Sequence, residues 1–586
     1  MKHYTARESS SDCGPIQIIY NAAQKGSMFQ VNTMNKRILI IGGVAGGANA
    51  ATRLRRLDES AEIIVFERGA YVSFANCGLP YHVGGEIQER KKLLQHTPET
   101  LKARFAIDVR VRHSVEKIDR AAKEVEVREI PTGRIYRERY DNLILSPGAT
   151  PFKPAVPGLD LPGVFALRDI PDMDKIIAWI TEHSCKTAAI AGGGFIGLEM
   201  MEQLHHKGIK CTVLESNPQI LMPLDAEMVR PIEAEMQDNG IGIHLSDPVQ
   251  GIAKGQGQSL ALTTKSGATH QADVVIWSIG VRPETKLAID AGLELGTTGA
   301  VKVNEHLQTS DPAIYAVGDC IEVTHGVTKS PAFLPLAGPA NRQGRIAADN
   351  ICGIPSIYKA TYGTAVVRVL SLTAACTGAN EKLLVKTGIP YQALHLHPNS
   401  HASYYPGAHP LALKVIYNPN TGALLGAQAV GKDGVDKRID VLAVAIQAGL
   451  TVEDLVDLEL CYAPPFGSAK DPVNLAGMIG DNVQNERVSV AQWSDVEKLS
   501  GSVQLVDVRD PAEVARGSIP NAIHIPLNDL RARLSELPKD KELLVFCQSG
   551  QRSYNACRIL TQNGYVCRNL SGAYKTWSTT LPLDTK

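Results

Sequence analysis

What this sequence has least of is net charge. Its 60 lysines and arginines stand against 61 aspartates and glutamates, a formal balance of −1 over 586 residues. Such a balance offers no basic face to nucleic acid or to an anionic membrane. Nor does any apolar run reach the roughly 20 residues needed to span a bilayer. The 11 cysteines are scattered without paired spacings. That argues against a disulfide framework and for a reducing, cytoplasmic setting. No metal site is expected. Residues 1–35 are polar and lack the apolar core of a secretory signal. They read as a disordered or added extension, with Cys13 incidental.

What is present is length and glycine. A chain of 586 residues with 51 glycines is too long for one core, so three or four domains are expected. Residues 37–41 form a short apolar run. A Gly-rich turn, a helical stretch at 48–57 and a second strand at 62–66 follow, the start of a βαβ unit. The same grammar returns at 186–191, 198–207 and 210–214. Residues 313–319 read as a returning strand of the first unit, so the second unit interrupts the first. After about residue 351 the pattern changes to strands at 365–370, 411–417 and 423–430, then a helix at 437–448. A polar stretch after Asp481 reads as a linker, and a compact α/β module of about a hundred residues follows.

The first turn is Gly42-Gly43-Val44-Ala45-Gly46-Gly47. Glycines let backbone N–H groups approach a pyrophosphate at a helix N-terminus, where the helix dipole also favours the anion. Val44 stands where the second motif glycine normally falls, so the fingerprint is imperfect. Glu67 ends the next strand at the spacing of an acid that binds a ribose hydroxyl. The second turn, Gly192-Gly193-Gly194-Phe195-Ile196-Gly197, is a full G-x-G-x-x-G, and Glu215 closes its second strand. An acid there accepts from a free 2′-hydroxyl and repels a 2′-phosphate, which favours NADH over NADPH. Residues 143–148 (LILSPG) are a strand running into a glycine turn, and 309–319 (TSDPAIYAVGD) hold a further acid, Asp319.

These four elements, in this order, resemble the pyridine nucleotide–disulfide oxidoreductase family, over roughly residues 36 to 475. The resemblance implies FAD and NADH or NADPH as cofactors. It puts FAD on Gly42, Val44, Ala45, Gly46, Gly47 and Glu67. Further flavin contacts fall on Arg68, Asn76, Val115, Ser146, Gly148, Asp319 and Ala337, with Asp319 on a ribityl hydroxyl. It puts the nicotinamide dinucleotide on Gly192, Gly194, Phe195, Ile196, Gly197, Glu199, Glu215 and Gly280.

Dithiol members of the family carry a C-x4-C pair. Here Ser73-Phe74-Ala75-Asn76-Cys77-Gly78 holds one cysteine and no partner five residues on. That is similar to the single-cysteine branch, which includes coenzyme A disulfide and persulfide reductases, NADH peroxidase and NADH oxidase. A lone thiolate beside a flavin completes two-electron chemistry only by pairing with an external sulfur or a sulfenic oxygen. Arg53 and Arg56 lie three apart on one helix face, suited to a phosphate-bearing ligand. The resemblance adds Asn49, Ser73, Asn76, Asn341 and Lys470 as coenzyme A contacts. Where the family places a basic residue on coenzyme A, this chain has Phe105. The segment 461–466 (CYAPPF) is similar to the branch's Y-A-P-P, which implies that Tyr462 reaches the partner subunit's active cysteine. Tyr404 is the second tyrosine chosen for that role, with Tyr405 its nearest competitor. A homodimer with shared active sites is implied.

Near the C-terminus a strand at 543–546 leads into Cys547-Gln548-Ser549-Gly550-Gln551-Arg552-Ser553. Such a loop can curl its N–H groups around one atom, with a helix dipole behind it, and so stabilise a thiolate or persulfide. The pattern C-x-x-G-x-R-S, with Asp507, Arg509, Glu513 and His524 upstream, resembles rhodanese domains over about 490–580. Cys547 and Arg552 are its expected catalytic residues.

The expected fold is therefore α/β. Two nested Rossmann-like domains bind FAD (36–155 and 283–350) and NAD(P)H (156–282). An α+β dimerisation domain (351–480), a linker (481–490) and a rhodanese domain (491–586) follow. The expected activity is NADH-dependent reduction of coenzyme A persulfide, coenzyme A disulfide or polysulfide. A peroxide- or oxygen-reducing enzyme working through a Cys77 sulfenate, or a non-catalytic redox sensor, remain open alternatives.

Overall fold

Short runs of Ile, Leu, Val and Phe, buried on both faces, set the layout. A computed structural model describes residues 35–499 and 501–581. The N-terminal extension expected over 1–35 falls, but for its last residue, outside them, as does Cys13. Arg37–Ile41 pairs in parallel with Glu62–Glu67 on one side and Asn142–Leu145 on the other. Ile314–Ala316 returns to the far edge, and the five strands close as 314–316, 142–145, 37–41, 62–67, 108–111. Such near-continuous apolar strands are what a parallel sheet covered on both faces requires.

The second unit repeats this around Thr187–Ala191, flanked by Lys210–Leu214 and Val274–Trp277. Both ends of the first unit surround it, so the nested order holds. The third layer is a five-stranded antiparallel sheet, in the order 365–369, 372–378, 424–431, 411–417, 392–396, backed by the helix Val435–Ala448. The last unit is a parallel sheet centred on Glu542–Phe546 and Cys567–Leu570.

The expected linker is corrected. Asp481–Gln484 form the last turn of the helix Pro472–Gln484, and Ser489–Ala491 is already the edge strand of the C-terminal sheet. The stretch is polar because one helix face meets water. Val483, on the other face, packs against the cores of both flanking domains. The C-terminal unit is therefore seated on the body of the molecule rather than strung from it.

Candidate active site

The first glycine turn works by closeness. Gly42 has φ +94°, and a Cβ there would sit on the Ser146 carbonyl oxygen. A Cβ on Gly46 would meet Val317 at 2.9 Å and Ser146 Oγ at 3.0 Å. The helix Ala45–Leu57 thus starts flush against the strand ends, its N–H groups facing a cleft of about 340 Å³. The expected flavin residues all line this cleft except Gly47 and Ala337. Gly47 instead packs its backbone against Gly42, and Ala340 lines the cleft in place of Ala337. Glu67 accepts the N–H groups of Gly43 (3.0 Å) and Gly69 (2.8 Å), so it shapes the turn as well as facing a ribose.

Asp319 lines the cleft with no hydrogen-bond partner among the described residues, and burial raises its carboxyl above the usual range. A half-buried acid without a partner fits a ligand hydroxyl. The cleft therefore suits FAD. Arg168, whose Nη2 donates to the Pro147 carbonyl at 3.2 Å, and the Arg68–Glu284 pair at 3.3 Å complete its rim. Neither Arg168 nor Glu284 carried a motif signal.

The second turn is built alike. Gly192 has φ +103°, and a Cβ there would lie 2.5 Å from the Ser278 carbonyl oxygen. Gly194 faces open space, followed by Phe195 and a well-exposed Ile196 at the start of the helix Phe195–His206. Gly197 packs on Gly192, and Gly280, with φ +122°, ends the neighbouring strand's loop. Glu215 is buried and accepts from Gly193 N–H at 2.7 Å and from the Asn217 amide N–H at 2.8 Å. It is thus a fixed, desolvated anion rather than a solvated strand-end charge. Glu199 is half-buried and accepts from Tyr81 Oη at 3.2 Å. Tyr81 was missed, although its place four residues after Cys77 put it one helical turn away.

Cys77 sits exposed in the tight turn Asn76–Gly78, which leads into the helix Leu79–Gly84. Ser73, at φ +48°, anchors the approach through its N–H to the Gly43 carbonyl at 2.8 Å. The Cys77 thiol is raised above its ordinary value by desolvation, then by the carboxylates of Glu199 and Asp319; a backbone amide acts the other way. Those two acids place Cys77 between the flavin cleft and the nicotinamide-side helix.

The expected coenzyme A residues separate into groups. Asn49 donates to Asn341 at 3.3 Å across two packed helices. Arg53 and Arg56, expected on one face, differ in setting. Arg53 is half-buried and tied to Asp349 at 2.7 Å, which leaves Arg56 exposed on that face. Lys470 is exposed. Tyr404 and Tyr462 lie on the surface of the third domain, their hydroxyls 2.8 Å apart, beside exposed Tyr405 and Phe466. Within one chain no hydrogen bond joins either tyrosine to Cys77 among the described residues.

In the C-terminal unit Cys547 is buried, and its sulfur accepts from Gly550 N–H at 3.1 Å and from Ser553 Oγ at 3.4 Å. The helix Gln551–Gln562 starts at that loop, so its dipole points at the sulfur. Ser553 was not singled out, though it closes the motif. Arg552 is held by Glu513 at 2.6 and 2.7 Å and by Asp510 at 3.1 Å, and its charge faces Cys547. This pairing lowers the Glu513 carboxyl to about 2.

The pyridine nucleotide-disulphide oxidoreductase family profile matches residues 36–344, and that of its dimerisation domain matches 364–472. This chain belongs to that family. A rhodanese-like domain matches residues 492–580. The chain is 37% identical to a coenzyme A disulfide reductase of Staphylococcus haemolyticus over 75% of its own length and 98% of that protein. It is similar to reduced Bacillus anthracis CoADR-RHD, with 48% identity and a TM-score of 0.92, over 94% of this chain and 99% of that one. An NAD-dependent persulfide reductase from A. fulgidus shares 36% identity and a TM-score of 0.86, over 92% and 100%. As a family member the chain is an oxidoreductase that uses FAD and a pyridine nucleotide, with a dimerisation domain and a fused rhodanese domain. Among the described residues no helix is long and apolar enough to cross a membrane.

Proposed function

We propose that this protein reduces coenzyme A persulfide, coenzyme A disulfide or polysulfide with NADH, through Cys77, while Cys547 carries sulfane sulfur. The observation that carries this reading is one unpaired cysteine next to Asn76 of the flavin cleft and near its Asp319, in a chain that also cradles a second cysteine for a persulfide. The relatives named above, which act on coenzyme A disulfide and on persulfide, support it. Bound FAD would relay two electrons from a nicotinamide to a sulfur.

The chain's own groups do the rest. Glu215 would hold the adenosine ribose and Asp319 a ribityl hydroxyl. The Cys77 thiolate attacks the outer sulfur of R–S–SH, the S–S bond breaks, and R–S⁻ leaves. Two electrons and a proton then release the transferred sulfur as sulfide and restore the thiolate. With a disulfide, the same attack gives a mixed disulfide and one free thiol. Tyr81 and Glu199 hold a proton beside the sulfur, Glu199 being raised by burial. Asn49, Asn341, Ser73, Asn76 and Arg56 form the coenzyme A path. In a homodimer, the exposed Tyr404–Tyr462 pair completes the partner subunit's site, where a phenol can protonate a leaving thiolate.

The test is a steady-state panel of coenzyme A persulfide, coenzyme A disulfide and polysulfide with NADH and NADPH, with sulfide and thiol measured separately. Sulfide release from a persulfide, in step with NADH oxidation, is expected. Oxygen or peroxide consumption that outpaces all three sulfur acceptors overturns the reading.

A further inference from the structure

The seam between the dimerisation and rhodanese domains encloses a cavity of about 320 Å³, the size of a small-molecule site. Much of its wall is carbon: Leu475, Met478 and Ile479 of the helix Pro472–Gln484 line it together with Val488 and Val490. Two polar groups interrupt that wall. Asn569 is 9% exposed, its Nδ2 donates to the Gly550 carbonyl at 3.3 Å, and its Oδ1 is buried with no hydrogen-bond partner. The donated bond fixes which end of the amide is oxygen. His397 is bonded to Thr576 Oγ1 through Nε2, which leaves its Nδ1 buried and unpartnered. A buried acceptor without a donor is costly. Water answers it poorly here, because a buried water needs several polar partners. The sulfur cradle forms another part of the wall. Ser549, Gly550 and Gln551 line the cavity, and the Gly550 N–H is the group that donates to Cys547 Sγ at 3.1 Å. Asn569 therefore holds the same residue that holds the sulfur, while Cys547 itself is not part of the wall.

We propose that this cavity binds a small uncharged organic molecule with an apolar body and a hydroxyl or amide N–H, which it donates to Asn569 Oδ1. None of the described residues in the wall is Asp, Glu, Lys or Arg, so a charged ligand would lose its hydration without gaining a counter-ion. The apolar side chains take the body of the molecule, and the orphaned amide oxygen takes its donor. A neutral His397 ring offers Nδ1 as donor or acceptor according to its tautomer, and so serves a second polar group of either kind. A donor on Oδ1 polarises the Asn569 amide and tightens its bond to Gly550. Occupancy therefore steadies the loop around Cys547 without touching the sulfur. This site is separate from the flavin cleft and stands apart from the reductase reading.

The experiment titrates the full-length protein with 4-fluorophenol, which has an apolar ring, one O–H and a fluorine visible by NMR. Fluorobenzene, which lacks the donor, is titrated in parallel. The phenol should bind saturably and about tenfold more tightly than fluorobenzene, as one hydrogen bond to a buried acceptor allows. Asn569→Leu should erase that difference, and Val490→Trp, which fills the cavity, should abolish binding of both. Melting temperatures check that the variants fold, and the comparison of the two probes in the parent protein needs neither variant. Labelling of Cys547 by iodoacetamide, followed in the tryptic peptide 542–552, should slow as the phenol saturates. Absence of saturable binding, equal affinity for the two probes in the parent, or binding that survives Val490→Trp overturns the proposal. An unchanged labelling rate at saturation overturns its link to the cradle.

Discussion

At the scale of single residues, the chemistry turns on charge placed beside sulfur and ribose. Desolvation and two nearby carboxylates work against a Cys77 thiolate, so its nucleophilicity must come from what binds beside it. Cys77→Ser should keep the flavin, visible in absorbance, yet lower NADH-dependent reduction of persulfide and disulfide by ~10³-fold or more, as loss of a nucleophile does. Turnover close to the parent's would remove Cys77 from the reaction. Glu215 is a buried anion held by two backbone amides. Glu215→Gln keeps the shape and drops the charge, so the NADPH-to-NADH ratio of kcat/KM should rise about tenfold, the worth of ~1.4 kcal/mol. An unchanged ratio would mean that the 2′-phosphate does not approach this side chain.

At the scale of elements, both cofactor turns depend on backbone that only glycine tolerates. Gly42 combines a left-handed φ with contact against the Ser146 carbonyl. Gly42→Ala should cost about 1–3 kcal/mol in strain. It should show as a lower flavin-to-protein absorbance ratio after purification, with Gly194→Ala, which meets open space, as the comparison. Equal flavin content in the two would refute the steric account. Motif spacing alone makes both turns legible. It does not reveal that Glu67 and Glu215 each also brace the second glycine of their own turn, because that needs the loop's closed path. The helix Pro472–Gln484 shows the opposite failure. Its polar C-terminal turn reads as a linker because composition cannot distinguish a solvated helix face from a solvated loop.

At the scale of the whole molecule, the rhodanese domain is fastened down. His395 N–H donates to Ser571 Oγ at 2.9 Å, His397 is hydrogen-bonded to Thr576 Oγ1 at 2.7 Å, and Gln492 donates to the Ala393 carbonyl at 2.9 Å. Behind this contact, Lys414 is fully buried among Asp225 (2.8 Å), Glu381 (2.7 Å) and Glu227. On the proposed reading, a seated domain passes its sulfur to a small carrier thiol. Cys547→Ser should therefore spare reduction of small coenzyme A persulfides while abolishing sulfur transfer from thiosulfate. Loss of both activities would refute this division of labour.

The same seam should sense acid. Burial, then Lys575 and His395, lower His397 from 6.5 to about 3. The unfolded chain binds the proton first, so this contribution is whole above about pH 6.5 and is lost as pH falls toward 3. Melting temperature should drop between pH 7.5 and 5.5 by more in the parent than in His397→Asn. Parallel pH profiles would exclude His397.

The sequence by itself determined the nested α/β plan, the two dinucleotide turns, the solitary Cys77 and the C-x-x-G-x-R-S loop. Each rests on local chemistry: glycine where backbone must pass closely, an acid at a strand end, a sulfur at a helix start. Only the tertiary structure decided which charges are already spent, as Arg53 is on Asp349 and Arg552 on Glu513 and Asp510. It alone brought Tyr81 to Glu199 and Tyr404 to Tyr462. None of these contacts follows a spacing rule, because they are fixed by how helices and strands pack and not by any single turn of backbone between them.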